Sequence, residues 1–162
     1  MRALTAVAAA GVCGAASVAV AAPPKALFEP GYNLCRAAPL SAIRKAGGQR
    51  YQRGIFDNRA CIWSRPDLQA GITLATHPRG VSNALMRNFL VQDGEGGLRA
   101  RRITVPGARK AVLVTLPAST PGHVSKNLFA NYEQGALQVN MTAPGSLPDR
   151  RLIAVLKLIA RT

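Results

Sequence analysis

The chain predicts an α+β fold: one antiparallel β-sheet with helices packed on it, in a single domain. Three observations lead there. Six short segments carry the apolar and β-branched residues of strands, turn dipeptides separate neighbouring ones so that they pair as hairpins, and three stretches have apolar residues at helical spacing. Their order is helix, two strands, helix, four strands, helix, which is expected to place the helices on one face of the sheet.

Residues 1–21 read as a signal peptide. Arg2 gives a short positive start, an apolar run follows from Ala3 to Val12 and resumes from Ala15, and Ala19-Val20-Ala21 supplies the small-x-small pattern, with the cut after Ala21. A run of about 20 residues dominated by alanine is weak as a membrane span. Cys13 follows Ala10-Gly11-Val12, nearly the reverse of a lipid-attachment motif, so no lipid anchor is expected there. No later segment is long and apolar enough to cross a bilayer. Residues 22–33, with three prolines and a glycine, read as an extended lead-in, and 34–162 as the secreted α+β domain.

Within that domain, Pro39 to Ala46 is a short helix, with Pro in its first turn, Leu40 and Ile43 on one side, and Gly47-Gly48 as its stop. Ala60 to Ser64 and Gly71 to Thr76 are strands joined by the Pro66-Asp67 turn. Ser82 can cap a helix reaching Gln92, with Val81, Leu85 and Phe89 spaced to share a face. After the glycine-rich loop 93–97 come four strands, Arg99 to Val105, Lys110 to Leu116, Lys126 to Tyr132 and Ala136 to Thr142. Pro106-Gly107 and Gln134-Gly135 are the turns of two hairpins. Pro148 to Arg161 is the clearest helix: Leu152, Val155, Leu156 and Ile159 share one side, and Arg150, Lys157 and Arg161 the other.

Export bears on the remaining cysteines. Once Cys13 is removed with the signal, Cys35 and Cys61 are left in an oxidising compartment, where cysteines pair. Closing that loop is worth roughly 3 kcal/mol in the chain-entropy model. Cys61 and Trp63 share a strand face, so the indole reads as a core residue against the disulfide.

The cleaved chain keeps 20 Lys and Arg against 7 Asp and Glu, a net +13. Two sources of this charge stay open. One is a polyanion partner, and the other is codon usage in a GC-rich genome, which favours Ala, Arg, Gly and Pro alike.

The layout resembles a family of exported actinobacterial proteins of unknown function, many of them lipoproteins. The resemblance is carried by Cys35 before the Pro39-Leu40-Ser41 helix, Cys61-x-Trp63 on the next strand, the Val105-Pro106-Gly107 turn, the Leu128 to Val139 hairpin and the closing helix Leu152 to Ile159. It implies a paired Cys35–Cys61 and a fold similar to the PsbP-like α/β/α class, and it carries over no catalytic residues. This chain departs from it in lacking a lipobox and in being strongly basic.

Chemistry-bearing patterns are sparse. His77 at a strand end and His123 in a loop are the only histidines; the seven acids are scattered, and there is no Gly-x-Ser-x-Gly elbow, Walker A motif or His-x-x-x-His pair. The sequence therefore predicts a protein that is not an enzyme and has no metal and no cofactor. What remains is its basic residues: Arg99, Arg101 and Arg102 leading into one strand, Arg109 and Lys110 opening the next, and Arg150 and Arg151 on the last helix. These are the candidate anion-binding residues. Only eight aromatics exist, and Tyr51 alone stands among arginines, so specific nucleic-acid recognition is not expected. The expectation is a secreted, monomeric cell-envelope domain that binds an anionic envelope polymer or lipid headgroups. A small apolar ligand or lipid held between sheet and helices is the alternative, and an enzyme with a non-standard site the second.

Overall fold

The computed structural model describes residues 22–159 apart from 53, 58 and 68; the predicted signal peptide and the last residues of the predicted closing helix lie outside them. The strands are β1 (Ile55–Asp57), β2 (Ala60–Ser64), β3 (Gly71–His77), β4 (Arg99–Arg102), β5 (Lys110–Pro117), β6 (His123–Asn131) and β7 (Ala136–Pro144). The helices are α1 (Leu40–Gly47), α2 (Asn83–Val91) and α3 (Asp149–Ile159). All described strands join one antiparallel sheet in the order β1-β2-β3-β7-β6-β5-β4. The α+β class and the single domain are as the sequence predicts.

The helices are not all on one face. The register sets Ala111 and Leu113 of β5 toward one side and Val112 and Val114 toward the other, and all four are buried. A strand apolar on both faces needs cover on both. Leu152, Val155, Leu156 and Ile159 of α3 and Ile43 of α1 pack on the first face, with Leu113, Leu128, Val139 and Met141 beneath them. Met86 of α2 packs on the second face, over Val112, Val114 and Phe129, with the Phe89 and Phe129 rings stacked 5.4 Å apart. The sequence groups Leu85 on one helix face with Val81, which is buried, and Phe89, which is partly so. Leu85 is instead 42 % exposed, and Met86, one residue on, holds the buried position. On that second face the helix covers only the β4–β5–β6 half; toward β3 and β7 the residues are polar (Thr73, Gln138, Asn140) and only partly buried.

Residues 22–33 are less extended than expected. A 3-10 helix at Lys25–Phe28 sinks Leu27 and Phe28 into the core of the α1/α3 face. β1 is an addition: three residues are too few for a periodic signal, but its register puts Ile55 opposite Ile62 at the sheet edge.

Cys35 and Cys61 form a disulfide, with Cα atoms 5.2 Å apart, that ties the segment before α1 to β2. Trp63 is fully buried beside it. Gly54 makes this packing possible: a Cβ there would stand 2.5 Å from Cys61 Sγ and from Trp63 Nε1. Among the described residues no helix is long and apolar enough to cross a membrane.

Candidate anion-binding cleft

Helix α2 is pinned at both ends, and the cleft beside it follows from that placement. Ser82 Oγ accepts from Leu85 N–H at 3.1 Å and caps its start. Asn131, at the end of β6, accepts from Val81 N–H at 2.9 Å and donates to Val81 C=O at 2.8 Å, fixing the loop before the helix. Asp93 Oδ1 accepts from Ala100 N–H at 2.9 Å, closing the loop after it onto β4. The helix thus lies over β4 and β5 at a set height and leaves a cleft of about 570 Å³ along its flank, within the usual size of ligand sites.

Four cations line this cleft: Arg87 from α2, Arg102 at the end of β4, and Arg109 and Lys110 at the start of β5. No carboxylate lines it among the described residues. Lys110 Nζ donates to Asn83 Oδ1 at 3.1 Å, a neutral partner that positions the ammonium without cancelling its charge. Arg109 stands 3.4 Å from Glu133, and both side chains are mostly exposed, so this pair is worth little. Arg87 and Arg102 have no ion-pair partner among the described residues. An adjoining groove of about 490 Å³ shares Asn83, Arg109 and Lys110 with the cleft and adds Arg79 together with the carboxylate of Glu133.

Of the seven basic residues predicted from sequence, the fold brings Arg102, Arg109 and Lys110 together. The other four lie elsewhere. Arg99 and Arg101 share the opposite face of β4, as alternation requires. Arg101 and Lys126 both pair with Asp149, Lys126 Nζ at 2.5 Å. Arg150 is exposed on α3, whereas Arg151 reaches α1 and donates from Nη1 to Gly47 C=O at 2.5 Å. Arg87, Asn83 and Arg79 were missed. Asn83, Met86, Arg87 and Leu90 stand at i, i+3, i+4 and i+7, the spacing of one helix face, and this was the signal available.

The remaining candidates have other neighbours. His77 sits at the end of β3, its Nε2 2.9 Å from Gln138 Oε1, and Gln138 in turn donates to Asn127. His123 opens β6 rather than lying in a loop, and its Nδ1 is 3.2 Å from Pro121 C=O. The register places His77 opposite Ala136 and His123 opposite Pro144, about 27 Å apart along β7 at strand rise, so they share no site. Tyr51 is fully buried and offers no stacking surface; burial pushes its hydroxyl up to about 12 against the pull of Arg151 and Arg65. Burial also raises Tyr132 to about 12. No group of three or more His, Cys, Asp or Glu placed to hold a metal ion exists among the described residues. No protein-family model and no curated protein matches the chain.

Proposed function

We propose that this domain is an extracytoplasmic, non-catalytic binding module whose α2–β4–β5 cleft receives an anionic component of the cell envelope. The observation that carries this reading is the convergence of Arg87, Arg102, Arg109 and Lys110 on one concavity lined by no carboxylate among the described residues. Three of the four are arginines, whose planar guanidinium matches phosphate and carboxylate oxygens in pairs. The disulfide and the signal-like start of the chain support the compartment.

The test is retention of the purified protein on isolated cell envelope across a salt series. Retention at low salt that collapses as salt rises is expected, because exposed charges are screened over roughly 10 Å at 0.1 M. Reversing two cleft charges, Arg87→Glu with Arg102→Glu, lowers low-salt retention roughly tenfold or more. Arg99→Glu with Arg150→Glu changes net charge equally on the other side of the sheet and has a smaller effect. Equal losses in the two double variants would make net charge, not the cleft, the cause. No retention at any salt would overturn the reading.

A further inference from the structure

Resting on that reading, we infer that the ligand of the cleft is an amphiphile with a phosphate head, taken as a single molecule, rather than a stretch of charged polymer. The cleft has two kinds of wall. Arg109 and Lys110 stand beside Asn83 at the start of α2, with Arg102 and Arg87 flanking the middle. Between and beyond them the lining is apolar: the partly buried Leu90 and Ile103 are open to the cleft, with the buried Met86 and Val112 beneath them. From Asn83 to Leu90 the helix rises about 10 Å, so cations hold the start and the middle of the cleft and Leu90 gives its far end an apolar side.

A polyanion has no use for this wall. It needs cations in a row and leaves the open parts of Leu90 and Ile103 in water, at about 25 cal/mol for every Å². A phosphate monoester on an alkyl chain satisfies both halves: its oxygens accept from the guanidinium groups and Lys110, and its first methylenes lie against Leu90 and Ile103. A phosphate near the dianionic state offsets several converging cations better than a carboxylate does. The start of α2 adds its partial positive charge at the same end.

The full chain, purified, is titrated calorimetrically with three probes: dodecyl phosphate below its micellar concentration, glycerol phosphate, and dodecyl maltoside. Dodecyl phosphate binds one to one and about 100-fold more tightly than glycerol phosphate, the gain from covering three to four methylenes. Dodecyl maltoside, with the same chain and no charge, binds at least about tenfold more weakly than dodecyl phosphate. Leu90→Ser narrows the gap between the two phosphates, and Arg87→Glu with Arg102→Glu weakens both. If the two phosphates bind alike, the cleft takes phosphate groups without regard to a chain; the amphiphile fails while the anionic reading stands. Dodecyl maltoside binding as tightly as dodecyl phosphate would overturn the charged head. If no probe binds although the envelope retains the protein and the cleft variant abolishes that retention, the ligand is a polymer. If no probe binds and the envelope does not retain the protein, both readings fail together.

Discussion

The two faces of the sheet treat their cations in opposite ways. On the α1/α3 face several basic groups are committed to the fold, while Arg99 and Arg150 stay exposed. Arg101 and Lys126 converge on Asp149 in the first turn of α3, Arg151 holds the last carbonyl of α1, and Arg44 Nε donates to Tyr51 C=O at 2.7 Å. On the α2 face Arg87, Arg102, Arg109 and Lys110 surround an open cleft with one weak carboxylate contact at its rim. A high net charge is thus not itself a site. What decides is which cations the fold has already engaged and which converge on one concavity: the exposed Arg99 and Arg150 stand apart from any such cluster, whereas the four of the cleft share one.

The contrast extends to packing, and a pair of substitutions gives the largest test of it. On the closed face Cys61 is fully buried under the disulfide with Trp63 and Gly54 against it. Cys61→Ser should cost about 3 kcal/mol, and the melting temperature should fall clearly. Leu90→Ala on the open face removes a half-buried side chain and should cost less than about 1 kcal/mol. A reducing agent should lower the wild-type melting temperature and leave the Cys61→Ser protein unchanged. If the two substitutions cost the same, the faces do not differ in packing as their burial implies.

A smaller effect is expected where α1 meets α3. Gly48 follows α1 with φ 70°, a left-handed conformation, and the Arg151 guanidinium fills the space beside it, Nη1 lying 1.2 Å from where a Cβ would be. Gly48→Ala would strain the backbone by about 1–2 kcal/mol and push Arg151 off the Gly47 carbonyl. Arg151→Met should lose only the second of these. Urea midpoints that are lower for Gly48→Ala than for Arg151→Met check this; the reverse order would mean that the arginine, rather than the glycine conformation, governs the junction.

These elements differ in how far the sequence announces them. The strands of the hairpins, the Ser82 cap, the Gly48 stop and the closing helix each depend on residues close in the chain, and alternation, turn chemistry and helical spacing report such local rules. Which face α2 would take is not local. It follows from the apolar run Ala111-Val112-Leu113-Val114, which marks a strand buried on both sides, and that run was open to reading before any helix was placed. The cleft lay further out of reach. Arg102, Arg109 and Lys110 are visible as basic residues, but their separation from Arg99, Arg101 and Arg151 depends on strand register and on where Asp149 and Gly47 fall in space. Arg87 sits amid apolar residues on α2 and joins the group only because the Asn131 and Asp93 contacts hold that helix over β5.

Asp149 gives the smallest effect and the most direct test of how the closed face neutralises its charge. Partial burial would raise its carboxyl, but the hydrogen bond and charge of Lys126, together with Arg101, outweigh burial and hold it below the usual carboxylate range. A carboxyl lowered in the folded protein contributes stability above its unfolded value of about 3.9, and that contribution is lost as pH falls through the folded value. Asp149→Asn should therefore cost less than about 1 kcal/mol at pH 7, since these are partly exposed ion pairs, and its gap to wild type should close as pH falls below about 3.9. Melting curves at pH 7 and pH 3 measure this; a gap independent of pH would mean that the carboxamide disturbs packing instead. The same variant frees Arg101 and Lys126. If cations left without a carboxylate are what an anionic surface recognises, Asp149→Asn should also raise low-salt retention on the envelope while leaving the affinity for dodecyl phosphate unchanged, because the cleft lies on the other side of the sheet.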